Sequence, residues 1–316
     1  MVQDPGDVTR SVLCATLILT MGGVITGLPM ALVTTKLLGR RVKVNYCRPA
    51  SSILCSATAG ADLRRRQING ATMAIAGSTL VVERERVRQS DHMFYCGMSL
   101  AIAALVFAGF SRTFYLASLF HARPLSPLRV VHGSLFSAWV LLFVVQTTLV
   151  ATRRTAIHRR LGVGGAVLAA TMVVVGTVMA ITSAREGHAP PGVPPLAFLA
   201  VPLFDMLVFA PLVAAGIYFR RRPEIHKRLM LLATISLMGA PAARLPTALA
   251  AAGPFFYFGV VDLLLLSGVL YDLATRRKVH PVYVWGGLLL IVSQPLRLML
   301  GGTGVWLAFA GMLVGR

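Results

Sequence analysis

Apolar runs long enough to cross a bilayer recur along the chain, separated by short polar linkers. They are Ser11–Leu38, Met93–Leu119, Val131–Ala151, Leu161–Ser183, Pro195–Phe219, Leu229–Ala251, Phe255–Ala274 and Val282–Leu300. A hydrocarbon core about 30 Å thick takes roughly 20 residues of helix. The runs are near-continuously apolar and too long for barrel strands, which are shorter and alternate with period two. In lipid every backbone polar group must be satisfied internally, so such runs are helices. A last apolar piece, Thr303–Gly315, is too short to cross comfortably; it reads as a re-entrant or interfacial helix, or as a continuation past "GGTG". The pattern predicts an all-α, polytopic transmembrane helix bundle with seven core spans and a possible extra N-terminal span at 11–38.

Residues 1–72 break this pattern. The stretch from Arg40 to Gly70 shows neither helical periodicity nor strand alternation. Met73 then opens a short charged lead into a span. The chain therefore reads as an N-terminal extension, 1–72, followed by a transmembrane helical domain, 73–316. Two expectations compete for the extension: Met73 is the natural initiator, or Ser11–Leu38 is a genuine extra helix followed by a basic loop. That run is not a cleaved signal peptide, because its apolar part is too long and no basic segment precedes it.

Composition agrees: 56% of residues are hydrophobic and only 13% charged, where soluble domains sit near a quarter charged. The net charge of +20 does not point to nucleic acid, since no basic stripe interleaved with aromatics is present. Linkers 39–92, 152–160, 220–228 and 275–281 hold ten, four, five and three basic residues, 22 of the 31 Lys and Arg. By the positive-inside rule these linkers are cytoplasmic; the expected location is a bacterial inner membrane, with lipids as partners. Cys14, Cys47, Cys55 and Cys96 lack the spacing of a zinc site or a disulfide framework.

The linkers repeat. "RRTAIHRRL" from Arg153 returns 68 residues later as "RRPEIHKRL" from Arg221, and "RRKVHP" from Arg276 is a shorter echo. The unit is a helix, a basic turn and a returning helix, so the core spans read as one leading helix plus three helical hairpins. The pairs Arg153–Arg154, Arg221–Arg222 and Arg276–Arg277 set topology and meet lipid headgroups. His158, His226 and His280, with His92 in a similar place, sit where helices enter from the basic side. They attract headgroup phosphates there, or alternatively ligate haem or a metal.

A second set of candidates lies inside the spans. Asp205, Arg244, Asp262 and Arg297 fall within apolar runs, His132 begins one, and Arg112 closes another. Intramembrane charges usually face a bundle interior or a wet cavity. All six belong to the half of the bundle away from the basic linkers. Two acids and two bases at similar depth suggest mutual pairing, with Arg244 and Asp262 as one couple. They lock helices together, or they form a pocket for a small polar or anionic ligand.

The segments "SDHMFYCGMSLAIAALVFAGFSRTFYL", "VVHGSLFSAWVLLFVVQTTLV", "HRRLGVGGAVLAA", "HKRLMLLATISL" and "SQPLRLML" resemble a family of uncharacterised bacterial membrane proteins of about seven spans, over residues 90–316. That resemblance implies location and fold and no chemistry. The "HKRLM" and "HG…W" pieces are also similar to cytochrome-oxidase-assembly proteins and transmembrane b-type cytochromes; no cofactor is the first expectation, and haem b is the alternative which that similarity implies. No nucleophile–base set, phosphate loop or HExxH motif is present, so the sequence leans away from an enzyme. It supports a ligand-binding or transport-like role first, a haem-binding or oxidase-assembly role second, and a structural subunit third.

Overall fold

The computed structural model describes residues 59–122, 124–248 and 252–315. The run Ser11–Leu38 lies outside them. The chain divides into two units, Met1–Met93 and Phe94–Arg316. Helix α1, Ala59–Phe110, begins in the first. It starts inside the stretch expected to lack helical character and passes through Met73. The Ala and Arg residues after Ala59 are good helix formers even without an apolar stripe.

In the second unit α1 ends in a π-helical turn, Ser111–Tyr115. The chain continues through α2 (Pro127–Ala151), α3 (Thr155–Arg185), α4 (Pro195–Phe198), α5 (Ala200–Tyr218), α6 (Pro223–Ser236), α7 (Gly239–Ala242), α8 (Pro254–Arg276), α9 (Pro281–Gly301) and α10 (Gly304–Val314). Among the described residues there is no strand, and six helical stretches are long and apolar enough to cross a membrane: Glu85–Tyr115, Pro127–Ala151, Thr155–Arg185, Pro195–Tyr218, Pro254–Arg276 and Pro281–Gly301. The chain is an all-α, polytopic helical bundle and a multi-pass membrane protein.

The three hairpins are α2–α3, α4/α5–α6 and α8–α9. Their turns carry the repeated arginines, and two of these, Arg153 and Arg277, adopt the left-handed backbone (φ 61° and 54°) that reverses a chain tightly after a helix. The first two returning helices, α3 and α6, start before their apolar runs and take His158–Arg160 and His226–Arg228 into their opening turns, whereas α9 starts at Pro281, next to its run. Helix α5 is central and packs against α3, α6 and α9. Helix α3 buries Gly165, Ala169, Met172, Gly176, Ala180 and Ala184, and of these Gly176 meets Met206 of α5. Small residues let backbones approach where lipid supplies no hydrophobic drive between helices.

The opposite faces are apolar and exposed: Val163, Val167, Val174 and Val178 on α3, and Val284, Trp285, Leu288, Ile291, Val292 and Met299 on α9. Trp285 is 71% and Met299 74% exposed. In water such surfaces would be sticky; against lipid tails they are at home.

One expected span differs. Leu229–Ala251 is not a continuous helix: α6 stops at Ser236, the chain tightens with Leu237 N–H to Thr234 O and Met238 N–H to Ile235 O, and α7 occupies one turn. The 14 residues of α6 reach about 21 Å, short of a full crossing. Pro241 has no N–H to donate to residue 237, and Pro246 blocks resumption. Pro202 and Pro211 fall in the same kind of run, yet α5 continues through both.

The broken segment is held close against α1. A Cβ on Gly109 would lie 2.2 Å from the Pro241 carbonyl oxygen and 2.8 Å from its Cα, and backbone cannot swing aside as a side chain can. Gly109→Ala is expected to destabilise the bundle by about 1–3 kcal/mol, read as a lower thermal unfolding midpoint in detergent. Gly164→Ala, which meets no atom within 4 Å, leaves that midpoint unchanged.

Candidate functional site

The interior polar site is assembled from α5, α8 and α9 beside the α6–α7 break. Arg297 on α9 is 4% exposed. Its Nη1 donates to Asp205 Oδ1 on α5 at 2.5 Å, its Nε to Ser293 O at 3.0 Å and its Nη2 to Ser293 Oγ at 2.9 Å. The rings of Phe204 and Phe258 flank the guanidinium, 5.8 and 5.5 Å from Cζ. Next to it, Gln294 Nε2 donates to Asp262 Oδ1 on α8 at 2.8 Å. A small cleft reaches Asp205, Gln294 and Arg297 between Phe258, Ser236 and Gly239, with room for about one water molecule. The helix break thus opens onto the buried guanidinium.

The six intramembrane candidates do not form a single cluster. Asp205 and Arg297 pair, but Arg244 and Asp262 do not pair with each other. Arg244 donates to Ala240 O at 2.8 Å and lies over the Phe110 ring at 5.0 Å. The break in the helix turns it toward its own backbone, while Asp262 is taken by Gln294. Arg112 lies over Phe120 at 5.5 Å. His132 packs on Phe136, its ring 4.3 Å away and its Nδ1 without a partner, within electrostatic range of Arg244.

At the basic end His158 and His226, equivalent in the repeat, do come together, with ring centroids 6.1 Å apart. His226 Nδ1 lies 2.8 Å from Gly216 O, whereas His158 Nδ1 is buried without a partner. His280 has another task. It caps α9, with Nδ1 accepting from Val282 N–H at 3.2 Å, and its own backbone N–H donates to Asp272 Oδ2 at 3.2 Å. His92 belongs to the first unit. Among the described residues no group of three or more His, Cys, Asp or Glu side chains is placed to hold a metal ion.

Sequence reasoning missed the strongest electrostatic feature of that end. Arg228 and Asp272 are both fully buried and bonded to each other through two nitrogen–oxygen contacts, one of them at 2.9 Å. Glu224 and Arg276 extend the network; Arg228 Nη1 reaches Glu224 Oε2 at 2.8 Å, and Arg276 Nη1 reaches Asp272 Oδ1 at 3.3 Å. Arg276, read as a topology residue, is thus also a structural one. Arg153, Arg154, Arg221, Arg222 and Arg277 are exposed. The missed signal was an acid, Asp272, one turn before Arg276 in an otherwise basic region.

The network shifts the acidities of His280 and Glu224. Burial, and then the nearby Arg228 charge, lower His280 from its ordinary 6.5, although Asp272 and Glu224 oppose this. Burial alone would raise Glu224 from 4.5, but hydrogen bonds from Arg228 and Lys227 outweigh it and hold the carboxyl lower.

No known protein-family model, curated protein or solved structure matches this chain. The likeness to b-type cytochromes and oxidase-assembly proteins therefore gains no support from known proteins.

Since the folded protein resists protonating His280, the unfolded chain takes up that proton first, and stability falls as pH drops below 6.5. Glu224, lowered instead, keeps its contribution above 4.5 and loses it only below. Between those values His280 contributes to the loss, because its protonated Nδ1 can no longer accept from Val282. His280→Asn, which retains a capping acceptor without titrating, makes the fall of the thermal midpoint over that window shallower, as pH-resolved melting in detergent would read.

Proposed function

We propose that this membrane protein binds a small polar or anionic solute at Arg297, in a transport-like role. The observation that carries the reading is a buried guanidinium facing a helix break. Arg297 is held in place by Ser293 and two aromatic rings, with one acid, Asp205, where a solute carboxylate would bind. Arginine's planar fork suits carboxylate and phosphate, and broken helices near buried charge are a feature of transporter sites. The cleft is small, so a solute must displace Asp205 or move the α6–α7 segment. In this reading the basic linkers face the cytoplasm of a bacterial cell and the protein sits in its inner membrane.

Melting of the detergent-purified protein against acetate, succinate, glutamate and inorganic phosphate tests this. At least one raises the midpoint, and the double variant Asp205→Asn/Arg297→Gln, which removes both members of the ion pair together, abolishes the rise. A silent panel, or an equal rise in the double variant, removes the reading.

A second reading is favoured by one observation: two imidazoles 6.1 Å apart, one of them set by a carbonyl through Nδ1. That arrangement suits axial ligation of haem b, in which the second ring nitrogen is fixed by a hydrogen bond. Expression with haem supplementation then gives a Soret band that His226→Ala abolishes; a colourless preparation excludes it.

A further inference from the structure

The first two basic turns meet at their histidines, whose ring centroids lie 6.1 Å apart. Each histidine N–H donates to the carbonyl of the arginine four residues before it: His158 to Arg154 O at 3.1 Å, and His226 to Arg222 O at 2.9 Å. Arg154 and Arg222 are the residues at which α3 and α6 begin. The ring contact therefore brings two repeat-equivalent arginine groups to one edge of the bundle. Arg154, Arg159 and Arg160 come from the first turn and Arg220, Arg221 and Arg222 from the second, and all six are exposed.

Among the described residues no acid pairs with any of the six. Arg220 donates to Ile217 O at 3.3 Å and Arg222 lies over the Phe219 ring at 5.8 Å, and neither partner is charged. The acids of this end are committed elsewhere. Glu224 accepts from Lys227 at 2.7 Å and from Arg228 at 2.8 Å, and it reaches Arg276 at 3.4 Å. Asp272 is taken by Arg228 and Arg276. The third turn thus has acids for its Arg276, whereas the seam between the first two hairpins keeps like charges side by side. Like charges repel, so this seam favours an anion supplied from outside the chain.

We propose that the seam between the first and second basic turns is a binding site for an anionic phospholipid. Arginine's planar fork suits a phosphodiester, and basic pockets between helices at the membrane edge attract anionic headgroups. The surface beside the arginines fits the rest of such a molecule. Val163 and Val167 follow Arg159 along α3 in steps of four, on one helix face, and both are exposed. Tyr218, exposed at the end of α5, is a residue type that favours the headgroup level. A phosphate held by the arginines therefore leaves an acyl chain lying along the valines; a soluble anion would use the arginines alone. The site is separate from the Arg297 cleft and uses no imidazole nitrogen, so it depends on neither the solute nor the haem reading.

Native mass spectrometry of the purified full chain in detergent, titrated with phosphatidylglycerol or phosphatidylcholine, tests the site. Phosphatidylglycerol is retained and phosphatidylcholine is not. Arg154→Gln/Arg222→Gln weakens retention roughly tenfold or more. Arg277→Asn/Lys278→Gln removes two charges from the third turn, with an asparagine that tolerates the left-handed backbone there, and leaves retention unchanged. Equal retention of the two lipids, equal losses in the two double variants, or displacement of the lipid by millimolar inorganic phosphate overturns the proposal. Phenylglyoxal, which modifies accessible arginines, gives a readout that needs no variant. Phosphatidylglycerol shields Arg154 and Arg222 and leaves Arg277 reactive; shielding of all three alike, or of none, overturns the proposal as well.

Discussion

Hydrocarbon offers a charge neither a hydrogen-bond partner nor a counter-ion, and the architecture of this bundle follows from that. Each ionisable side chain within the apolar helices must be answered by another part of the protein. Arg297 spends its donors on Asp205 and on Ser293 of its own helix, between two aromatic rings. Arg228 and Asp272 answer each other with no exposure at all. The same medium inverts the usual surface, so valines and leucines stand outward while glycines and alanines line the helix contacts.

The two polar centres differ in what surrounds them. At the basic end Glu224, Arg228, Asp272 and Arg276 bind the start of α6 to the end of α8, and His280 ties in the start of α9. A buried ion network of this kind adds little net stability compared with apolar packing, but breaking it is costly, so α6 is anchored there. Its other end is different. Beyond Ser236 the helix gives way to tightened turns, one short helical turn and prolines, and that irregular backbone abuts the cleft at Arg297. Helix α6 is thus fixed at one end and interrupted at the other, beside the Asp205–Arg297 pair.

Much of the fold was legible from hydropathy and charge placement. The long apolar helices, their pairing into three hairpins and the burial of Asp205 and Arg297 follow from one-dimensional pattern, because the bilayer imposes a length and a polarity that any single segment must meet alone. Pro241 and Pro246 were visible as interruptions, but whether a proline breaks a helix or rides within it depends on its neighbours. Helix α5 absorbs Pro211, supported on three sides, while α6 ends and the chain turns against Gly109.

The partnerships were not legible. Arg160 and Arg228 occupy equivalent places in the repeat, yet Arg160 is exposed and Arg228 is completely buried. His158 and His226 meet, whereas His280, in the third copy, caps a helix. Asp262 pairs with an amide rather than with Arg244. Length and polarity are properties of each helix, and the sequence by itself determined them. The choice of partner depends on how helices rotate and which faces meet across tens of residues, and only the packed bundle decided that.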